Sequence, residues 1–339
     1  MTARLSRLRS PATSGLHYLD QLWEERHERP PVLDDDTREF LLAELTHGQH
    51  RRELLTDGKV KTLPALHYMD GRLFYGALMG ELGQGPITRD RGTNFLEHQR
   101  AVYRVTVRVP RDWAHVGLIP CRDEAGSTQY PHRPKTVISD TWVDGAELMN
   151  AYRAGWQVWI CERIIFTSGK PLDVWCDRLV RQWSKARGND EQRGWLRDVL
   201  LQSVGALASR GRLREVRLPR GAPLPPLVVR RWIDPDTAEV VCEVRDDLSP
   251  LRARMRHPEL AVGIWARARA RMTRHMLSLP RDQIIAVDGD AIYLTGMPNW
   301  VDKGRTGELR LKERREGPLS IPRSIEEVRE VFASAEVVA

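Results

Sequence analysis

The stretch Ile284–Gly296 reads IIAVDGDAIYLTG: an apolar run enters Asp288-Gly289-Asp290, and a second β-prone run, Ala291–Leu294, leaves it. Asp-Gly between two such runs predicts a hairpin, because Gly tolerates the positive φ that a tight primed turn needs. The hairpin would hold two carboxylates at its tip, one residue apart. Folding does not require this, since like charges so close repel and each raises the other's pKa. A divalent cation would remove the penalty. Hard oxygen ligands suit Mg²⁺, which takes one or two protein carboxylates and completes its shell with substrate phosphates. The plainer alternative is a solvated Asp-Gly turn.

A second segment, His67–Met79, reads HYMDGRLFYGALM. An apolar and aromatic approach to Asp70 is followed by helical spacing at Leu73, Tyr75, Leu78 and Met79. An acid at a strand end, just before a helix-like turn, is where a third metal ligand could sit. Two metals about 4 Å apart, shared by carboxylates from separate strands, clamp the attacking and leaving oxygens of an in-line phosphoryl transfer.

MDGRLFYGALM (69–79) resembles motif A of family B DNA polymerases, an Asp followed five residues later by a Tyr. VDGDAIYLTG (287–296) resembles motif C, usually Asp-Thr-Asp-Ser, with Gly289 and Ala291 replacing the Thr and Ser. The similarity is closest to the protein-primed branch of phages and linear plasmids. Between these motifs, residues 141–185 resemble that branch's palm running into the fingers. LRDVLLQSVGALASRG (196–211) resembles motif B, the fingers helix, and HPELAVGIWARARARMTRHM (257–276) the palm helix before motif C. The order is the family's, and the resemblance covers roughly 65–310.

The resemblance implies an α+β fold: a polymerase-like palm, an antiparallel sheet with packed helices, plus helical fingers and a reduced thumb. It divides the chain into an N-terminal helical region (1–60) and a first palm part with an inserted loop (61–175). Helical fingers (176–211), a linker with a β-hairpin insertion (212–256), a second palm part (257–300) and a reduced thumb or tail (301–339) follow. Asp70 and Asp288 would be the principal ligands of two Mg²⁺ (or Mn²⁺) ions, with Asp290 supporting. Tyr75 would lie beneath the incoming sugar and exclude a 2′-hydroxyl. Gly205 belongs to motif B. Lys185, Arg193 and Arg197 fall where basic residues grip the triphosphate. Arg193 and Arg197, four apart, share one helix face, and Arg suits bidentate phosphate contacts; a solvated basic face is the alternative. The sequence departs from the family at Val204, where motif B carries a Tyr, and at Leu201, where it carries an Asn. No segment reads as a proofreading exonuclease, and Lys303, Arg305, Arg310, Lys312, Arg314 and Arg315 supply charge without a Lys-x-Tyr element.

Lys+Arg 53 against Asp+Glu 46, net +7, suits a polyanionic partner whose binding weakens with salt. RARMRH (252–257) and RARARMTRH (267–275) concentrate that charge; Arg267, Arg271 and Arg274 of the second run, and Lys312 beyond motif C, are candidate DNA contacts. Most tryptophans alternate with other apolar residues, as core anchors do. No apolar run approaches a membrane span. The start, MTARLSRLRSPATSG, lacks an apolar signal region and reads as a flexible arm. Four widely spaced cysteines suggest neither zinc nor a disulfide framework, which makes a reducing cytoplasm the expected setting.

Asp34-Asp35-Asp36 reads as a helix start before TREFLLAEL. Residues 83–94 read as a loop, 102–109 as a half-buried strand, and 121–135 as a surface loop. Residues 171–208 read as two helices around ARGND, and 228–244 as a hairpin. The expected partners are primer-template DNA and deoxynucleoside triphosphates, with a terminal or primer protein, or a partner supplying thumb or exonuclease, also conceivable. Three functions fit. One is an exonuclease-free DNA polymerase-like nucleotidyltransferase. Another is an inactive relative that binds DNA or a primer protein. The third is an untemplated or primer-synthesising transferase.

Overall fold

The structure, a computed structural model, describes residues 10–47, 49–56, 62–80, 84–167, 169–211, 213–225, 228–245, 248–299 and 306–333. Lys303 and Arg305 lie outside them. The chain opens with α1 (Pro11–Arg26) and α2 (Asp35–Leu45). Ser10 and Asp34 accept from the Thr13 and Thr37 amides, satisfying donors that a helix start leaves bare. The arm expected over 1–15 is therefore helical from Pro11 onward.

Strands β1 (Arg52–Leu54) and β2 (Thr62–Gly71) lead into the short helix α3 (Phe74–Met79). Then come β3 (Gln84–Asp90), β4 (Ala101–Arg108), the two-residue strands β5 (Cys121–Arg122) and β6 (Thr128–Gln129), β7 (Val137–Asp144), α4 (Gly145–Arg153) and β8 (Gln157–Thr167). Strands β3, β8, β4 and β7 form one antiparallel sheet. One expectation changes here: residues 84–90, expected within a loop, pair with β8. Strand β4 keeps the expected alternation, with Tyr103, Val105 and Val107 buried and Arg104, Thr106 and Arg108 on the more open face.

Helices α5 (Asp173–Lys185) and α6 (Asp190–Leu207) form a pair across Ala186–Asn189, the latter capping α6 through its side chain. Strands β9 (Leu213–Leu218), β10 (Val228–Ile233) and β11 (Val240–Arg245) make a separate three-stranded sheet, so the expected hairpin carries one strand more. After α7 (Pro250–Arg254), α8 (Pro258–Leu277) begins with Pro at a first-turn position that needs no amide donor. It is buried nearly all round, which marks it as the central support.

Strands β12 (Ile284–Asp288) and β13 (Ala291–Leu294) follow, then β14 (Leu309–Ser320) and α9 (Ile325–Ala333). They complete a five-stranded antiparallel sheet in the order β1-β12-β13-β2-β14. Residues 309–320, expected within a reduced thumb or tail, are thus the edge strand beside β2. Val328 and Phe332 of α9 close over Leu66, Ile285 and Tyr293 on this sheet.

Ion pairs and hydrogen bonds tie the N-terminal region to the segment running from α7 into α8. Arg269 on α8 holds Glu147 at 2.8 Å with both side chains buried, and donates to the Thr46 and Gln49 carbonyls. Arg254 reaches Asp20, and Arg256 reaches Glu39. The basic runs 252–257 and 267–275 are therefore in part internal fastenings. Trp23, Trp142, Trp156, Trp175 and Trp265 are core anchors, whereas Trp159 and Trp232 are exposed.

Candidate active site

Apolar residues Ile284–Val287 bury β12 in the sheet, and Gly289, at φ 67°, turns the chain into β13. A side chain there would strain a left-handed backbone. Asp288 pairs with Ala291, and Ala291 with Asp70 on the next strand, so the register draws the three acids to one end of the sheet. The Gly71 amide donates to the Asp290 carbonyl at 3.0 Å, which ties the turn to the end of β2.

The two acids of the turn have different surroundings. Asp288 accepts from Arg329 of α9 at 2.7 Å and lies 3.0 Å from Arg52 of β1. Asp290 is pushed up to about 6, first by burial and then by the negative charge of Asp70. Arg197 on α6 and Lys312 on β14 oppose that shift from a distance, and Arg310 lies 3.8 Å from Asp70. Asp70 and Asp290 are thus the electrostatically coupled pair, and Asp288 is compensated by arginines.

Beside them opens a cleft of about 370 Å³. Its walls include Tyr75, Leu201, Val204, Gly205 and Trp265, with Asp288–Asp290 and Arg329 at one end. Tyr75 is buried, and its phenol is shifted upward by burial and by Asp290, so it keeps its proton. Its hydroxyl sits 2.6 Å from His50 Nδ1. Burial, then Arg52, lowers the His50 pKa, leaving the imidazole neutral at pH 7. A Cβ added at Gly205 would meet nothing within 4 Å, so this glycine leaves the cleft wall open.

The remaining expected residues are more scattered. Arg197 and Lys312 act on Asp290, and Lys312 also reaches the Tyr68 hydroxyl at 3.2 Å. Arg193 lies on the Trp183 ring, 4.0 Å from its centroid, and Lys185 is exposed in the last turn of α5. Arg267 and Arg274 line a different cavity, of about 530 Å³, while Arg271 lies over Phe74. His50, Arg52, Trp265 and Arg329 were not foreseen. Three come from segments distant in sequence, and only folding shows them at the cleft.

Among the described residues, no group of three or more His, Cys, Asp or Glu side chains is gathered closely enough to hold a metal ion. The donor chemistry of Asp70 and Asp290 still fits a hard divalent cation. These are two coupled carboxylates, and Mg²⁺ needs only one or two from the protein.

No protein-family model matches the chain, and no curated protein does. Solved structures do. Phi29 DNA polymerase in an orthorhombic crystal form superposes with a TM-score of 0.67 at 14% identity, over 90% of this chain and 53% of that one. The fold is similar to that of Phi29 DNA polymerase. Its complex with primer-template DNA and incoming nucleotide gives 0.65 at 15% identity over 92% and 54% of the two chains. Its complex with single-stranded DNA gives 0.64 at 14% identity over 92% and 53%. The chain spans about half the length of these polymerases. No described helix is long and apolar enough to cross a membrane.

Proposed function

We propose that this protein is a DNA polymerase-like nucleotidyltransferase that adds deoxynucleotides to a primer hydroxyl beside Asp70 and Asp290. The observation that supports this best is the electrostatic coupling of those two carboxylates, one at the end of β2 and the other in the β12–β13 turn that borders a cleft walled by an aromatic ring. Asp70 and Asp290 would hold the Mg²⁺ or Mn²⁺ ions, two by resemblance, which supply neutralisation of charge developing on a phosphate. In the transfer, the primer 3′-oxygen bonds to the α-phosphorus, the bond to the β-phosphate oxygen breaks, and pyrophosphate leaves.

The chain's own side chains have separable parts in this reading. Tyr75 floors the sugar site and leaves no room for a 2′-hydroxyl. Arg197, with Arg193 and Lys185 further along the helix pair, draws in the triphosphate. Asp288 acts mainly through Arg52 and Arg329, fixing β1 and α9 around the turn, which reverses the order of importance expected for the two turn acids. Helices α5 and α6 serve as fingers, and the five-stranded sheet with α8 as the palm. Arg271, Arg267 and Arg274 face primer-template DNA, while a terminal or primer protein, or a partner with a thumb or exonuclease, would complete the assembly.

A second reading rests on Leu201 and Val204, which line the cleft where the polymerase pattern carries Asn and Tyr. Without that ring to stack on the nascent pair, the protein would bind DNA without extending it, or extend without a template. Primer extension separates these readings. With a primed template, four deoxynucleotides and Mg²⁺ or Mn²⁺, wild type should extend in template order, and Asp70→Asn and Asp290→Asn should not. Incorporation on a template-free oligonucleotide would favour untemplated transfer. Silence in both metals with salt-sensitive DNA binding intact would favour the inactive relative.

A further inference from the structure

We infer that His50 is the positioning residue that fixes the Tyr75 ring, and through it sets the choice between deoxyribose and ribose; this rests on the polymerase reading above. An aromatic floor excludes a 2′-hydroxyl only while it stays in place, because a ring free to turn about its side-chain bonds gives way to one oxygen atom. Phe74 meets Tyr75 edge-on at 6.1 Å between centroids, which supports one side of the ring and leaves its far end to another contact. That contact is the hydrogen bond between the Tyr75 hydroxyl and His50 Nδ1, at 2.6 Å, with the two rings packed edge to face at 5.6 Å.

A tether is only as firm as its anchor. His50 lies between two fixed points of the backbone. On one side, the buried Arg269 guanidinium donates to the Gln49 carbonyl at 3.3 Å. On the other, Arg51 is wholly buried, bonded to Glu53, the Gly117 carbonyl and Thr273. The Arg51 carbonyl in turn accepts from the Gly289 amide at 2.9 Å. The imidazole is thereby referenced to the same turn that carries Asp288 and Asp290. Tyr75 is held at a set distance from the acids by a path that does not pass through α3. Supporting contacts of this kind, made to a residue that touches substrate, decide whether a site is held closely enough to discriminate.

Four variants test this: His50→Leu removes the acceptor, Tyr75→Phe removes the hydroxyl, His50→Asn keeps a polar group near the Nδ1 position, and Tyr75→Val removes the ring. The readouts are the ratio of kcat/KM for deoxynucleotide over ribonucleotide insertion, and equilibrium binding of dATP against ATP followed by quenching of tryptophan fluorescence. His50→Leu and Tyr75→Phe should each reduce the discrimination about tenfold, the loss of roughly one hydrogen bond. The double variant should lose no more than either single one, His50→Asn should keep most of the discrimination, and Tyr75→Val should lose the most. If Tyr75→Val abolishes discrimination while His50→Leu leaves it intact, or if the His50→Leu and Tyr75→Phe losses multiply, the tether is refuted and the sugar floor stands. Wild type that binds dATP and ATP equally and inserts neither would overturn the inference together with the polymerase reading.

Discussion

Asp90 and Glu162 on the four-stranded sheet of β3, β8, β4 and β7, and Asp290 beside the five-stranded sheet built on β12 and β13, are treated in opposite ways. On the first sheet Asp90 and Glu162 each meet an arginine, while Asp144 at the end of β7 is buried and shifted upward by that burial. Arg163 holds Asp90 at 2.7 Å and keeps its carboxyl below the usual range, and Arg89, with Arg104, does the same for Glu162. On the second, Asp290 lies against Asp70 and is pushed up to about 6, mainly by burial. The five-stranded sheet does not lack arginines, since two of them serve Asp288 on the same turn. The turn compensates one of its acids with arginines and leaves the next coupled to another carboxylate, and the proposed cation site rests on that difference. Binding sites are where a protein departs from its own rule of internal satisfaction.

The largest effect should come from cancelling the coupled pair. Asp70→Asn or Asp290→Asn is expected to lower primer extension about a thousandfold, while the melting temperature of the metal-free protein stays level or rises, because a repulsion has been removed. A matching loss of stability would mean that these acids are structural. Next comes the buried pair behind the site. Glu147→Gln leaves the Arg269 charge buried and uncompensated, and should cost about 3 kcal/mol in denaturant unfolding. Asp288→Asn should be milder, about 1 kcal/mol, because Arg52 and Arg329 are both well exposed to water. It should also spare far more extension activity than Asp290→Asn, and equal losses would restore Asp288 to the central role.

The smallest effect is a difference in sign. Between 3.8 and about 6 the folded protein keeps a proton on Asp290 that the unfolded chain has released, so its contribution to stability falls as pH rises through that window. Glu162 has its folded value lowered from 4.5, so its contribution is lost as pH falls below that value, and the exposure of its partner Arg89 keeps the share small. Metal-free melts across this range should show Asp290→Asn gaining on wild type as pH rises. Glu162→Gln should lose against wild type only on the less acidic side. The same trend in both variants would contradict the contrast between the sheets.

Much of this arrangement was legible in the chain. Asp288-Gly289 between apolar runs gave the turn, and Asp70 ahead of a helical pattern gave the strand end beside it. Asp34-Asp35-Asp36 as a helix start, and two helices around ARGND, are readings that the structure keeps. Strand β3 escaped notice because Gly85 and Pro86 break alternation, and its strand character comes from β8 rather than from its own residues. Strand β14 was hidden by charge: LRLKERREGPLS is what an exposed edge looks like, and charges there deter pairing with another chain. The pairing of Asp288 with Arg52 and Arg329, and the approach of His50 to Tyr75, join residues from separate segments. Such through-space meetings leave no trace in spacing. The arginines of 252–257 and 267–275 read as one basic patch because Asp20, Glu39 and Glu147 lie far away in sequence.

Mn²⁺ binding, followed by electron paramagnetic resonance on protein mixed with primer-template and deoxynucleotide, bears most directly on the Asp70–Asp290 pair. Wild type and Asp288→Asn should both take up the ion, and Asp290→Asn should lose most of it. Uptake by Asp290→Asn equal to that of wild type would contradict the assignment of these two carboxylates as the cation site.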